Sequence, residues 1–354
     1  MIAVIGGGPA GSYFSSLMNK DVTIFEEHER IGRPVACTGI ITSAIMDLVN
    51  LDENVIVNYL DKVRVIGWNK ETEFKLKDGE IVVDREKFDK FLAERAVENG
   101  VKFKLNHRFI GCKNNTALFK NKNSVLKYKY DTLVGADGPG SLVARENNLM
   151  LGRKYWVGKQ YKIKMKCNKN EFIVFFGEIP DFFGWIVPEN SEYARVGVAS
   201  EKFSGKYFSL LAKRLGLREK DFIECQSGLI PQHNPGMKTS RGNVYLIGDA
   251  AGHVKATTGG GIVYGMRGAK CLANALTNNK DYEKLWRKDF GRELWFHLKV
   301  RKFLNKLDKE GYDELVSRLK GVDLGSYNRD YPFRSIGLLM HPGLIWMLIK
   351  TSVK

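Results

Sequence analysis

The chain has 354 residues, 44% of them hydrophobic, enough for one large core or two interlocked ones and too apolar for a disordered or fibrous protein. Lys and Arg total 56 against 40 Asp and Glu, a formal +16 that favours an anionic partner, either a phosphorylated substrate or an acidic membrane surface. The basic residues are spread along the chain with no zinc, basic-zipper or RNA-stacking signature, so nucleic acid is not the expected partner, and no metal site is expected from cysteines as dispersed as Cys37, Cys112, Cys167, Cys225 and Cys271.

Ile2-Ala3-Val4-Ile5 is a short apolar run of the kind a buried parallel strand shows, and it feeds into Gly6-Gly7-Gly8-Pro9-Ala10-Gly11 and then a compact helix. Val22-Thr23-Ile24-Phe25 predicts the second strand of a βαβ unit, closed by Glu26. This opening is not a basic segment followed by an apolar run, so it does not read as a signal peptide, and the odd, scattered cysteines suit a reducing, cytoplasmic compartment. Residues 55–83 alternate as short strands and are expected as a small insertion. Asp84 to Asn99 reads as an amphipathic helix with Phe88, Phe91, Leu92 and Ala96 on one face. From Lys154 the pattern turns to aromatic-rich strands such as Phe172 to Phe176 and Arg195 to Ala199, then returns to a buried-strand signature at Asn243 to Ile247. The expected fold class is therefore α/β, α+β overall: a discontinuous Rossmann-like domain over 1–153 and 240–280, an antiparallel-sheet substrate domain over 154–239, and a helical region over 281–354. The apolar tail from Gly337 to Ile349 is interrupted by His341, Pro342 and Gly343 and falls short of the roughly 20 residues of a membrane span, so it is expected to rest on a bilayer at most.

Gly6-x-Gly8-x-x-Gly11 lets the backbone turn tightly, approach a pyrophosphate and aim helix amides at its charge. Its position between a strand and a helix, with Glu26 at the next strand end to accept from a ribose, makes it a dinucleotide site; Glu27 competes for that role. Thr257-Thr258-Gly259-Gly260-Gly261-Ile262 opens a later helix, whose free amides and positive end suit an anionic group.

Leu133-Val134-Gly135-Ala136-Asp137-Gly138 resembles the Asp-Gly motif of the flavoprotein hydroxylases and their relatives. Val244 to Ala251, with Gly248-Asp249, resembles their Gly-Asp motif, and Asp84-Arg85-x-x-Phe88-Asp89 the helix whose Arg contacts FAD. Within that group the chain resembles the geranylgeranyl reductases, on Gly32-Arg33-Pro34-Val35-Ala36-Cys37-Thr38-Gly39-Ile40 and on Pro180-x-x-Phe183-x-Trp185-x-Val187-Pro188. The second segment departs from the family pattern, with Phe183 for Tyr and Val187 for Phe. The resemblance implies FAD held by Gly6, Gly8, Ala10, Gly11, Glu26 or Glu27, Arg33, Ala36, Cys37, Arg85, Asp137, Gly138, Gly248, Asp249 and the run Gly259 to Ile262. It implies an isoprenoid lipid substrate against Phe183, Trp185 and Pro188, peripheral membrane contact, and an external electron donor: NADPH, ferredoxin or a deazaflavin. Reduction of an unactivated double bond needs a proton as well as a hydride, with Cys37 first and His253 second as its source. A flavin monooxygenase, a quinone oxidoreductase relative lacking the iron–sulfur cysteines, and a non-redox prenyl cyclase are the alternatives.

Overall fold

The computed structural model describes residues 1–150, 152–320, 322 and 327–335, so the apolar tail at 337–349 lies outside the described residues. Two compact units divide the chain: the first takes Met1–Val35, Arg85–Lys154 and Ile230–Trp295, and the second takes Ala36–Asp84, Tyr155–Leu229 and the described residues from Phe296 on.

In the first unit a six-stranded sheet runs Ser240–Arg241, Val244–Leu246, Thr132–Gly135, Ile2–Ile5, Val22–Phe25, Lys102–Lys104. All its pairings are parallel except the edge pair of Ser240–Arg241 with Val244–Leu246. Both faces of the central strands are covered, which is why Ile2–Ile5 is an unbroken apolar run, Val22–Phe25 is apolar but for Thr23, and every residue of both is buried. The helices Pro9–Ser16, Arg85–Glu98 and Ile262–Asn278 belong to this unit, as does a three-stranded antiparallel sheet of Arg108–Lys113, Thr116–Asn121 and Ser124–Lys129. Pro9 at the first helical position fixes φ where no amide partner is needed, so the helix starts directly on the Gly-rich turn.

An eight-stranded sheet forms the second unit, in the order Phe222–Pro231, Tyr155–Lys164, Tyr193–Ser200, Gly184–Pro188, Glu171–Phe175, Ile56–Ile66, Glu71–Val83, Ile40–Thr42. Residues 55–83 are therefore not a small insertion in the dinucleotide domain. Their strands are integral to this sheet, because Ile56–Ile66 pairs with Glu171–Phe175, and that pairing is parallel within an otherwise largely antiparallel arrangement. The helix Ser204–Arg214 lays Phe208, Leu211 and Ala212 inward, with Phe208 against Tyr161 at 4.7 Å. No helix among the described residues is long and apolar enough to cross a membrane.

Candidate functional site

The Gly-rich turn is built by close approaches. Gly6 has φ +101°, and a Cβ there would stand 2.4 Å from the Ala136 carbonyl oxygen; at Gly11 one would stand 2.2 Å from the Gly6 carbonyl oxygen. Gly8 is different: nothing lies within 4 Å of its absent Cβ, so the turn leaves open space at the helix N-terminus, the kind of end whose amides suit an anionic group. The same openness is found at Gly138. Glu26 is fixed at the end of its strand, its carboxylate accepting from the amides of Gly7 at 2.8 Å and His28 at 3.0 Å. Glu27 is half exposed, paired with His28 and Arg108. Of the two, Glu26 is the carboxylate at the turn.

The Asp-Gly and Gly-Asp motifs meet on neighbouring strands, since Thr132–Gly135 pairs with Val244–Leu246. Asp137 is committed to its own turn, accepting from Ser141 Oγ at 2.6 Å and Val143 N at 3.0 Å; it organises the short helix Leu142–Glu146, and burial raises its pKa. Arg153 joins the two motifs, donating to the carbonyls of Pro139 at 3.1 Å and Ala250 at 2.5 Å. Nothing in the sequence marked it, because a lone arginine after a loop has no pattern. Ala10 and Gly248 are packing partners: a Cβ on Gly248 would lie 2.9 Å from that of Ala10. Arg33 pairs with Glu86 at 2.5 Å, and Arg85 grips Asp89 through two bonds of 3.1 Å.

Asp249 is the exception to this mutual satisfaction. Its carboxyl has no hydrogen-bond partner among the described residues; burial pushes it up to about 6, against the opposing charges of Arg85 and Arg153. The next helix, Ile262–Asn278, starts at Gly261 with no side-chain cap, leaving its amides and positive end unanswered. Buried Lys255 lies against the Gly run: its Nζ would be 3.4 Å from a Cβ on Gly260, and it stands over the Tyr264 ring at 5.7 Å. An open glycine turn, a carboxylate ready for a hydroxyl and an uncapped helix end beside a cation fit FAD by their donor and acceptor chemistry.

His253 does not have the surroundings of an acid. It is fully buried, with neither ring nitrogen hydrogen-bonded, against Trp286 at 4.8 Å and Phe290 at 5.0 Å, and burial holds its pKa well below the usual histidine range. It is a neutral core imidazole, whose one remaining N–H is far too weak an acid to serve as a proton donor.

In the second unit the two segments that carry the reductase resemblance come together. The Cys37 carbonyl accepts from Arg195 at 2.9 Å, and Thr38 donates to Gln160 Oε1 at 2.9 Å. The same Gln160 oxygen accepts from the Trp185 indole at 3.2 Å, while its amide donates to Gln226 at 2.6 Å. Arg195 also donates to Glu189 at 2.7 Å, which Lys162 pairs from the other side at 2.7 Å. Burial raises the Glu189 pKa, but the Lys162 bond and the Arg195 charge outweigh it and hold the carboxylate below its usual range. Trp185 lies flat across Gly197, its cross-strand partner, where a Cβ would come within 2.5 Å of the ring. Gln160, Gln226, Glu189 and Arg195 form the polar frame that fixes the Cys37 segment and Trp185, and Gly39 N donates to Cys37 Sγ at 3.4 Å.

Phe183 differs from a substrate wall. It is buried at 8% exposure, stacked on Phe182 at 4.4 Å and edge-on to Trp185 at 5.9 Å, with buried Arg301 over the Phe182 and Phe183 rings at 4.8 and 5.9 Å. Burial lowers the Arg301 pKa to about 10. Pro188 is buried as well, which leaves Trp185, half-buried, as the motif's accessible face.

The fold and the dinucleotide cradle define an FAD-dependent oxidoreductase. A model of the lycopene cyclase protein family matches residues 185–332. The chain is 27% identical to digeranylgeranylglycerophospholipid reductase 2 of Methanothermobacter thermautotrophicus, over 94% of this chain and 96% of that one. It is 28% identical to the digeranylgeranylglycerophospholipid reductase of Methanocaldococcus jannaschii, over 92% of this chain and 93% of that one. Its structure matches a geranylgeranyl bacteriochlorophyll reductase-like protein from Thermoplasma acidophilum with a TM-score of 0.87 at 21% identity, covering 99% of this chain and 98% of that one. The chain is thus a relative of the geranylgeranyl reductases, as the Cys37 and Trp185 segments implied.

Proposed function

We propose that this protein saturates isoprenoid double bonds, with the geranylgeranyl chains of an ether phospholipid as substrate and an external electron donor, from among NADPH, ferredoxin or a deazaflavin. The observation that carries the reading is the shared frame of Gln160, Gln226 and Arg195, which ties the Cys37 segment to the Trp185 strand. Near full-length similarity to named reductases supports it. When bound and reduced, FAD supplies a hydride and is left oxidised by two electrons. Gly6, Gly8, Gly11, Glu26 and Asp249 hold the cofactor, and the uncapped end of the Ile262 helix with Lys255 favours the negative charge of its reduced form. Cys37 gives the proton at Sγ to the less substituted alkene carbon, the Gly39 amide stabilises the thiolate left behind, and solvent restores the thiol. Trp185 walls the isoprenoid chain and excludes water from it.

The test is to reduce the flavin-loaded protein without oxygen, add a digeranylgeranylglycerol phospholipid, and follow flavin reoxidation together with the lipid mass. Reoxidation with a gain of two hydrogens per bond supports the reading, and Cys37→Ala then reduces the rate at least tenfold, the lower end of what a positioned acid contributes (~10²) allowing for bypass by water. The lycopene cyclase family match over residues 185–332 favours a second reading, non-redox cyclisation. It predicts a rearranged lipid of unchanged mass with the flavin still reduced.

A further inference from the structure

The frame around Cys37 lies inside the second unit, but one face of that unit's outer helix points away from the sheet and is left without cover among the described residues. Between Glu201 and Glu219 stand Lys202, Lys206, Lys213, Arg214 and Arg218 with no carboxylate among them. On the helix Ser204–Arg214, Phe208, Leu211 and Ala212 turn inward. The opposite face carries Phe203, Lys206, Leu210 and Lys213, spaced three and four apart so that they align along one side. Phe203 is 70% exposed, the most exposed large apolar side chain among the described residues, and Leu210 is 50% exposed. Phe203 is also held at φ +62°, a left-handed conformation that an aromatic residue does not choose, so its outward ring is not the default of an unconstrained loop. Lys206 and Lys213 form no ion pair among the described residues, whereas Arg214 is paired with Glu178.

We infer that the face formed by Phe203, Lys206, Leu210 and Lys213 docks on an anionic lipid bilayer, the two apolar side chains entering the headgroup boundary and the lysines meeting lipid phosphates. Charge complementarity selects this occupant: a carboxylate-free basic stretch with two apolar anchors is the chemistry of an interfacial amphipathic face. The inference rests on the proposal that the substrate is a membrane lipid, which the docked protein would meet in place.

Co-sedimentation of the FAD-loaded protein with vesicles of phosphatidylglycerol and phosphatidylcholine, against phosphatidylcholine alone, tests it. The expected result is binding to the anionic vesicles, released by salt. K206E/K213E is expected to weaken partitioning roughly tenfold or more, and F203N/L210N comparably. Asparagine accepts the left-handed conformation, so F203N alone is expected to keep or raise the melting temperature while weakening binding; a purely structural role for the ring predicts the reverse. Equal capture by neutral vesicles, or wild-type partitioning by both double variants, overturns the proposal. Reduction of a detergent-dispersed prenyl lipid, measured in parallel, separates the two ideas. Vesicle binding without reduction defeats the substrate reading alone, and reduction without vesicle binding defeats the docking surface alone.

Discussion

Asp249 is the residue at which the proposed cofactor binding and stability oppose each other. Burial raises its pKa from 3.8 to about 6 in the folded chain. The unfolded chain therefore releases this proton first as pH rises, and the native state loses relative stability across that window, on the order of 3 kcal/mol by neutral pH. Asp249→Asn removes the ionisation, so the apoprotein is expected to melt several degrees higher at pH 7 while FAD binds more weakly. Thermal denaturation of the apoprotein and titration with FAD check the two halves, and a lower melting temperature would show that the carboxylate has a structural partner. Lys255 raises a related question. Its cation lies against Gly260 at the uncapped helix, and Lys255→Met is expected to lower the reduction potential of the bound flavin, as read by dye-coupled titration. An unchanged potential would remove Lys255 from the cofactor's surroundings.

Among the elements, the Gly-rich turn separates architecture from ligand binding. A methyl at Gly11 meets the Gly6 carbonyl at 2.2 Å, so Gly11→Ala is expected to destabilise the apoprotein by about 1–3 kcal/mol. A methyl at Gly8 meets nothing, so Gly8→Ala is expected to cost the apoprotein less than about 1 kcal/mol yet to impair FAD retention, because only the ligand fills that space. Equal effects in apoprotein denaturation would argue against a pyrophosphate at Gly8. This turn was legible in the sequence because strand, glycines and helix are consecutive, whereas the Asp-Gly and Gly-Asp motifs were legible only through their resemblance to those of the flavoprotein hydroxylases. The frame behind Cys37 was not. Thr38 and Gln160 are 122 residues apart, and glutamines on alternating strands carry no signal of which face they line. The strands over 55–83 could be seen as strands, but their sheet is decided by pairing with Glu171–Phe175, which periodicity does not specify. Arg195 carries the frame's charge, and replacing it by Met leaves Glu189 and Gln226 buried without it. A loss of about 3–5 kcal/mol is expected in urea denaturation, with Arg195→Lys recovering only part because one ammonium cannot reach Glu189, Gln226 and the Cys37 carbonyl together.

At the scale of the whole molecule, two buried histidines make stability depend on pH in the direction opposite to Asp249. His233 Nδ1 donates to the Gly252 carbonyl at 3.0 Å, and burial holds its pKa at about 4, while burial also holds His253 well below the usual histidine range. An unfolded chain protonates these imidazoles near 6.5, but the native state does not, so their contribution is fully present above that pH and is lost as pH falls. For His233 the loss proceeds at about 1.4 kcal/mol per pH unit, until native protonation begins near 4. The overall slope is shared with Asp137, Asp181, Asp249 and Glu293, whose raised values act the other way, so the histidine part must be read as a difference. His233→Asn keeps a polar group near Gly252 but cannot titrate. Its stability relative to the unmodified protein is expected to improve steadily from pH 6.5 to pH 4, by about 3 kcal/mol in total, when both apoproteins are unfolded in urea across that range. A constant difference would mean that His233 takes up its proton in the native state at an ordinary pH, and that water reaches the layer of Trp286 and Phe290 behind it.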